Sequence, residues 1–222
     1  MFDIYDEQML LLGQALRSEV HRRGYWHRTF HCWLVRQEAI TGKLFVRFQK
    51  RQSGKDTFPN RYDITVAGHL KAGETVRDAA REIEEEIGLL PHFEELVWIE
   101  DCREEAAGIA GGIPFIDREV SSVYAWASSA SLAEFRLQRE EVAGIYEADA
   151  DELIDLFEGR RGRVDAAGYE LPSADDGNMI PVRCEVAAEQ FVERPSTYYG
   201  GLFRALKARF GQHEPDGQQT AR

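Results

Sequence analysis

The sequence predicts an α/β protein with a mixed β-sheet packed between helices. Segments rich in strand-forming residues alternate with helical segments, and they lack the regular βαβ spacing of a doubly wound sheet. Of the 222 residues, 43% are hydrophobic and 11% are aromatic. That composition supports a sizeable core and excludes a wholly disordered chain.

The first strands are expected near the N-terminal third of the chain. Residues 29–35 and 43–49 are rich in strand formers, and the turn residues Thr41 and Gly42 between them predict a hairpin. A polar loop with several turn formers covers residues 50–60, and a short strand is expected at residues 62–66.

A single amphipathic helix is expected between Thr75 and Gly88. Thr75 is a good N-cap with Asp78 three residues later, a variant of the capping box, and Gly88 stands where a C-terminal glycine belongs. The apolar residues between them recur at helical spacing: Val76, Ala79, Ala80, Ile83 and Ile87. They predict one stripe that faces the core.

The second half of the chain predicts further strands and two helices. Strands are expected at residues 95–100 and 119–127, around a loop with Gly108, Gly111 and Gly112, and a short one at 144–146. Helices are expected at 150–157 and 203–210, and residues 159–180 give mixed signals. We expect an N-terminal extension packing on the domain (residues 1–27), the main domain with its C-terminal helix (28–210) and a disordered tail (211–222).

The charge balance limits the partners. Acidic residues outnumber basic ones 39 to 27, a formal net charge of −12, which argues against nucleic acids and anionic membranes as partners. The three cysteines, Cys32, Cys102 and Cys184, show neither a disulfide framework nor a zinc spacing. The N-terminus is acidic where a secretory signal would be basic, and residues 9–12 are too few for a membrane span. We expect a cytoplasmic protein.

Three glutamates share one face of the predicted acidic helix. Glu82, Glu85 and Glu86 are spaced i, i+3 and i+4, which places them within about 100° of arc, while Glu84 points away. Like charges at this spacing repel, and a hard cation such as Mg²⁺ or Mn²⁺ would reverse that effect. The alternative for a glutamate-rich helix alone is a solvated surface.

Residues 68–89 resemble the Nudix box, the signature of the Nudix hydrolase superfamily. The box is a glycine, five residues, a glutamate, seven residues, and then Arg-Glu-aliphatic-x-Glu-Glu-x-Gly-aliphatic. Every fixed residue type is present: Gly68, Glu74, Arg81, Glu82, Ile83, Glu85, Glu86, Gly88 and Leu89. The chain departs from the pattern once, because six residues rather than seven separate Glu74 from Arg81.

The resemblance implies a Nudix α/β/α sandwich with a mixed central sheet, for which a homodimer is common. It implies hydrolysis of a nucleoside diphosphate linked to another moiety, by attack of water on phosphorus. It also implies that Glu82, Glu85, Glu86 and the backbone carbonyl of Ala67 bind Mg²⁺ or Mn²⁺, and that Arg81 orients the acidic face. Since the net charge would repel a diphosphate, the metal would be obligatory.

Further site residues are expected outside the box. The family usually contributes another acid from a downstream loop, for which Glu141 is the best candidate; the alternative is an exposed acidic turn. Basic residues before the box could contact substrate phosphates or form a solvated edge: Arg47, Lys50, Arg51 and Lys55. Four aromatic residues could stack on a base or belong to the core: Trp26, Phe58, Tyr198 and Tyr199.

A second resemblance involves His21, His27 and His69. Residues 21–30 together with Ala67-Gly68-His69 are similar to isopentenyl diphosphate isomerase, a relative in which such histidines hold a metal and a cysteine transfers a proton. Ala67 occupies the place of that cysteine and has no titratable group. The sequence therefore favours a hydrolase of a subgroup related to the isomerase. The alternatives are an isomerase-like enzyme and a nucleotide-binding module without turnover.

Overall fold

A computed structural model describes residues 1–110, 112–172 and 177–211 of the chain. Its eleven strands belong to one sheet. The strands are β1 (Phe2–Tyr5), β2 (Leu11–Ala15), β3 (Trp26–Gln37), β4 (Leu44–Arg51), β5 (Tyr62–Asp63), β6 (Val66–His69), β7 (Val97–Ala110), β8 (Ile113–Ala127), β9 (Val142–Asp149), β10 (Val164–Glu170) and β11 (Ile180–Val186). The helices are α1 (Arg17–Arg23), α2 (Val76–Ala79), α3 (Arg81–Ile87), α4 (Ala150–Phe157) and α5 (Tyr198–Phe210).

The sheet is mixed, as the sequence predicts. Its main path runs β11-β10-β9-β4-β3-β1-β2, with β5 on β4 and β6 and β8 on β3. The pairing of β3 with β8 is parallel, whereas the other strand pairs are antiparallel. Strand β3 is therefore the centre of the fold, since it pairs with β1, β4, β6 and β8.

Helices cover both faces of the sheet. Successive side chains of β3 point to opposite faces, so Trp33 packs with α4 and α5, whereas Phe30 and Leu34 pack with Ile83 of α3. Trp33 makes an edge contact with Phe203 of α5, with ring centroids 5.2 Å apart. The arrangement confirms the α/β/α sandwich.

The predicted single helix between Thr75 and Gly88 is wrong in one respect. Thr75 caps α2 with a full capping box, and Gly88 ends α3 in the left-handed conformation, as expected. Between them the helix breaks at Ala80, where the backbone ψ of −14° tightens the turn. The acidic part of the sequence is therefore a separate seven-residue helix.

Several other elements are longer than the sequence indicates. Strands β7 and β8 form a long hairpin that includes Gly108, where a loop was expected, and Gly111 lies outside the described residues. Strand β10 occupies part of the mixed segment, and α5 begins at Tyr198 rather than near residue 203. The outer part of the hairpin, residues 101–109 and 113–118, is exposed or half-buried throughout, so it lacks the buried alternate positions from which strands are recognised.

The two ends of the chain differ in how much the structure describes. Residues 2–23 form a hairpin and α1, and β1 joins the central sheet through the pairing of Tyr5 with Trp26. Of the tail predicted at 211–222, only Gly211 is described, so that prediction lies outside the described residues. None of the helices described is both long and apolar enough to cross a membrane.

Candidate active site

A cleft of about 1300 Å³ opens where α3, strands β3 and β6, and the hairpin of β7 and β8 meet. Strand β6 lies at its floor and leads into the loop before α2. Glu82, Glu85 and Glu86 line the cleft from α3, and Ala67 and Gly68 line it from β6. The predicted acidic residues and the predicted carbonyl donor are thus brought to one place.

Gly68 allows α3 to lie directly on β6. A Cβ atom at this position would lie 2.5 Å from Cγ and Cδ of Glu82, far closer than real side chains pack. Any larger residue would push the Glu82 carboxylate away from the strand. The glycine of the motif therefore sets the distance between Glu82 and the backbone of residue 67.

Glu86 is a buried acid that forms no ion pair with any basic residue in the described part of the chain. It is 5% exposed, and Gln49 Nε2 donates a hydrogen bond to its Oε2 at 3.2 Å. Burial, followed by the negative charges of Glu82 and Glu141, raises the pKa of Glu86 well above its usual value. Burial also raises the pKa of Glu82, although Arg81 opposes the shift. A bound cation would relieve this accumulation of negative charge.

Arg81 organises the open side of this acidic cluster. Its Nη1 lies 3.0 Å from Glu74 Oε2, its Nη2 2.7 Å from Glu82 Oε1 and its Nε 3.3 Å from Glu85 Oε1. Glu84 is exposed and does not line the cleft, as its place on the helix predicts. One guanidinium therefore holds three carboxylates of the motif.

Glu141 reaches the cleft because its loop is tied to the end of α3. The backbone N–H of Gln138 donates to the carbonyl of Glu86 at 2.8 Å, and that of Arg136 to the carbonyl of Ile87 at 2.9 Å. The Glu141 carboxylate is paired with Lys55 and contributes to the electrostatic field at Glu86. The loop acid and the box acids are therefore neighbours.

A second polar cluster borders the same cleft at His69, the residue after Gly68 in β6. His21 of α1, His27 of β3 and His69 of β6 converge on Asp117 and Glu119 of β8. His69 Nε2 lies 3.3 Å from Glu119 Oε1, and the Nε2 atoms of His21 and His27 each lie 3.6 Å from Asp117 Oδ1. We call these five residues the histidine cluster.

The histidine cluster has the donor set of a metal site. In the part of the chain that the structure describes, the Nε2 atoms of all three histidines and Oδ1 of Asp117 are buried without a hydrogen-bond partner. Burial and the positive charge of Arg17 lower the pKa of His21 to about 4, which keeps its ring a neutral electron-pair donor. Burial would raise the pKa of Glu119, but His27 and His69 hold it well below the usual value. Imidazole nitrogens and carboxylates together suit first-row transition metals.

Comparison with known proteins identifies the family. The family model of the NUDIX domain matches residues 25–166. The chain belongs to the Nudix family.

Relatives with curated names agree. A protein named an uncharacterized Nudix hydrolase, from Clostridium acetobutylicum, is 38% identical over 204 residues, which cover 92% of this chain and 95% of that one. Nudix hydrolase 3 of Arabidopsis thaliana is 37% identical over 136 residues, covering 58% of this chain but 16% of that larger protein. A crystal structure from Deinococcus radiodurans covers 71% of this chain and 88% of its own, with 21% identity and a TM-score of 0.49.

The structure separates the predicted basic residues of this Nudix hydrolase. Arg51 and Lys55 line the cleft. Arg47 does not, because its fully buried side chain donates to the carbonyl of Ala130 at 2.5 Å and faces Glu147 in a different cavity of about 680 Å³. Arg47, which the sequence groups with Arg51 and Lys55 as a possible phosphate contact, therefore lies away from the cleft: in strand β4 its side chain neutralises Glu147 on the neighbouring strand.

Asp117 and Glu119 are the residues of the floor that sequence reasoning missed. They lie about 90 positions after His27 in the chain, and the parallel pairing of β3 with β8 sets His27 opposite Glu119. Residues 117 and 119 are two positions apart, so both side chains lie on one face of a strand. The sequence carries no other signal that these acids belong to the site.

Proposed function

We propose that this Nudix hydrolase cleaves a nucleoside diphosphate linked to another moiety, in a reaction that needs Mg²⁺ or Mn²⁺. The proposal rests on one observation: Glu86 is a buried carboxylate with Glu82 and Glu141 close by and, among the described residues, no basic side chain in direct contact. Such an arrangement is unfavourable for the protein alone and favourable around a cation.

The proposed roles follow from the contacts. Glu82, Glu85 and Glu86 together with the carbonyl of Ala67 would hold the metal, which when bound neutralises the diphosphate and polarises its phosphorus. Arg81 is a positioning residue, because its guanidinium holds the box carboxylates in register.

Glu141 is the candidate proton acceptor. The oxygen of a water molecule attacks phosphorus, the bond to the bridging oxygen breaks, and the water proton passes to this carboxylate. The electron pair of the broken bond leaves with the second phosphate group. Lys55 would contact the phosphate oxygens, exchanging its partner Glu141 for the substrate.

A panel of nucleoside diphosphate derivatives with Mg²⁺ or Mn²⁺ tests the proposal. Products would be followed by phosphorus NMR in water enriched in ¹⁸O, and we expect one phosphate product to carry the label. Binding of a panel member without turnover, under either metal, would instead show a nucleotide-binding module.

The histidine cluster raises a second candidate function, that of an isomerase. The resemblance to isopentenyl diphosphate isomerase implies that His21, His27 and His69 hold a metal. Their buried Nε2 atoms, which have no hydrogen-bond partner among the described residues, support this. Ala67, however, has no group that can move a proton to or from carbon. We therefore propose that the cluster binds metal but that isopentenyl diphosphate is not isomerised.

Deuterium exchange distinguishes the two candidates. In deuterated water with Mg²⁺ and Mn²⁺ present, isopentenyl diphosphate should gain no deuterium in its carbon skeleton above the level without protein. Exchange above that level would make the isomerase the better assignment.

We propose a cytoplasmic location, supported by Cys32, Cys102 and Cys184, which are all free thiols. The partner in this proposal is a small nucleoside diphosphate derivative, with no nucleic acid or membrane involved. A homodimer stays a prediction of the family resemblance.

A further inference from the structure

Phe58 stands at the cleft in a conformation that its residue type disfavours. Its φ is 49°, in the left-handed region where a bulky side chain is crowded, and it is followed by Pro59, which further restricts the preceding residue. Such backbone conformations cost free energy and persist where the surroundings hold them. Contacts elsewhere in the loop must therefore offset the free-energy cost of this conformation at Phe58.

Arg51 is the residue that holds this loop. Its Nε donates to the carbonyl of Phe58 at 3.2 Å and its Nη2 to the carbonyl of Thr57 at 2.9 Å, while Nη1 binds Asp63 at 3.1 Å. Because Asp63 is itself buried in the sheet, the loop backbone is fixed to the rigid part of the fold.

The ring of Phe58 is not part of the hydrophobic core. The residue is 36% exposed and lines the cleft, whereas the other aromatic residues considered for base stacking are buried: Trp26, Tyr198 and Tyr199. Those three pack inside the protein, so Phe58 is the one of the four that a ligand in the cleft can reach.

The same cleft has an apolar wall that metal and phosphate binding do not require. Pro59, Ile109, Phe115 and Val192 line it in addition to the acids. Ile109 is 74% exposed. The Phe115 ring lies against Gly108 on the partner strand, where a Cβ would be only 3.0 Å from its Cε1. An apolar ligand group would remove this exposed surface from water.

We propose that Phe58 is a specificity-determining residue, and that it stacks on a planar ring carried by the substrate. The inference rests on the proposed function and deepens it, since it assigns the diphosphate to the acidic cluster and the planar ring to Phe58. A flat aromatic face favours a planar ring such as a nucleobase over a branched aliphatic group.

Binding measurements test this without requiring turnover. Dissociation constants would be measured by calorimetry in Mg²⁺ for adenosine monophosphate, ribose 5-phosphate and isopentenyl monophosphate. In Phe58→Ala, we expect adenosine monophosphate to bind about tenfold more weakly, the loss typical of one base–aromatic stack. Ribose 5-phosphate should change less than twofold, and Phe58→Trp should retain the wild-type constants.

Two further variants separate the ring from the backbone. Phe58→Gly removes the ring and tolerates the positive φ, so it should bind as weakly as Phe58→Ala while melting at no lower a temperature. Trp98→Ala removes an exposed aromatic residue outside the cleft and should leave all three constants unchanged.

Three results would overturn the inference. They are an equal loss for adenosine monophosphate and ribose 5-phosphate, an unchanged constant for adenosine monophosphate, and an equal loss for isopentenyl monophosphate. The last would mean a general apolar contact instead of ring selection. Absence of hydrolysis in the substrate panel would contradict the proposed function, yet it would leave these binding constants measurable.

Discussion

Arg81 Nη1 lies 3.0 Å from Glu74 Oε2, although the chain between them is one residue shorter than the family pattern. Between the two residues α2 ends at Ala79 and α3 begins at Arg81. The one-residue difference from the pattern lies in this stretch, before the acidic helix begins. The spacing of the three box glutamates is consequently unaffected.

Metal binding should stabilise the protein through the acidic cluster. Millimolar Mg²⁺ at ten times its dissociation constant is expected to raise Tm by about 3–6 °C, because the ligand binds only the folded state. The double variant Glu85→Gln with Glu86→Gln should lose most of that shift, as measured by calorimetry with and without chelator. An equal shift in the variant would place the metal elsewhere.

The four glutamates of α3 should differ in their effect on turnover. Glu82→Gln, Glu85→Gln and Glu86→Gln are each expected to lower kcat, by at least about 10²-fold for the strongest, since each removes a charge that faces the metal.

Glu84→Gln is the matched control on the same helix. Its side chain is exposed and outside the cleft, so kcat should stay within a few-fold of wild type. Comparable damage from Glu84→Gln would contradict the helical phase, and no effect from any of the four would contradict the hydrolase assignment.

The histidine cluster should bind a transition metal independently of the acidic helix. Titration with Co²⁺, followed by its visible absorption, is expected to show one site. His69→Ala should weaken Co²⁺ binding at this site by at least about tenfold, because losing even a group that only orients a ligand costs about that much affinity. The acidic double variant should retain this site.

His92→Ala provides the control for the cobalt titration. His92 is an exposed histidine on the loop after α3, outside the cleft. Its removal should leave the absorption unchanged, and a loss as large as that of His69→Ala would show nonspecific binding of Co²⁺.

Asp149 should stabilise the fold in a pH-dependent way. Its carboxylate caps α4 by accepting from the N–H groups of Asp151 and Glu152, and it pairs with Lys43 at 2.8 Å. Burial opposes ionisation, but Lys43 and the two N–H groups outweigh it and lower the pKa of Asp149. Asp149→Ala should cost about 1 kcal/mol of unfolding free energy at pH 7.

The sign of the pH dependence follows from the lowered pKa. The contribution is complete above the unfolded-state value of about 3.9 and is lost as the pH falls through the folded-state pKa. Urea unfolding between pH 3 and pH 7 should therefore show the Asp149→Ala deficit shrinking in acid. Asp149→Asn keeps an acceptor oxygen and should show a smaller deficit, and a deficit that grows in acid would contradict the assignment.

Features that depend on near neighbours along the chain could be predicted from the sequence. The phase of Glu82, Glu85 and Glu86 was predictable because the helical repeat alone places residues three and four apart on one face. The caps at Thr75 and Gly88 were predictable for the same reason, and the mixed α/β class followed from the order of local patterns. The break at Ala80 was not, since it depends on how α2 and α3 both fit against the sheet.

Contacts between residues far apart in the chain depend on strand pairing and could not be predicted. His27 faces Asp117 and Glu119 because β8 pairs in parallel with β3, and no local pattern specifies that pairing across 90 residues. Arg47 and Arg51 lie on one strand and looked equivalent in the sequence, yet one neutralises Glu147 and the other holds the loop of Phe58. The positions of these two side chains are set by strand order and register, which depend on burial of the whole sheet.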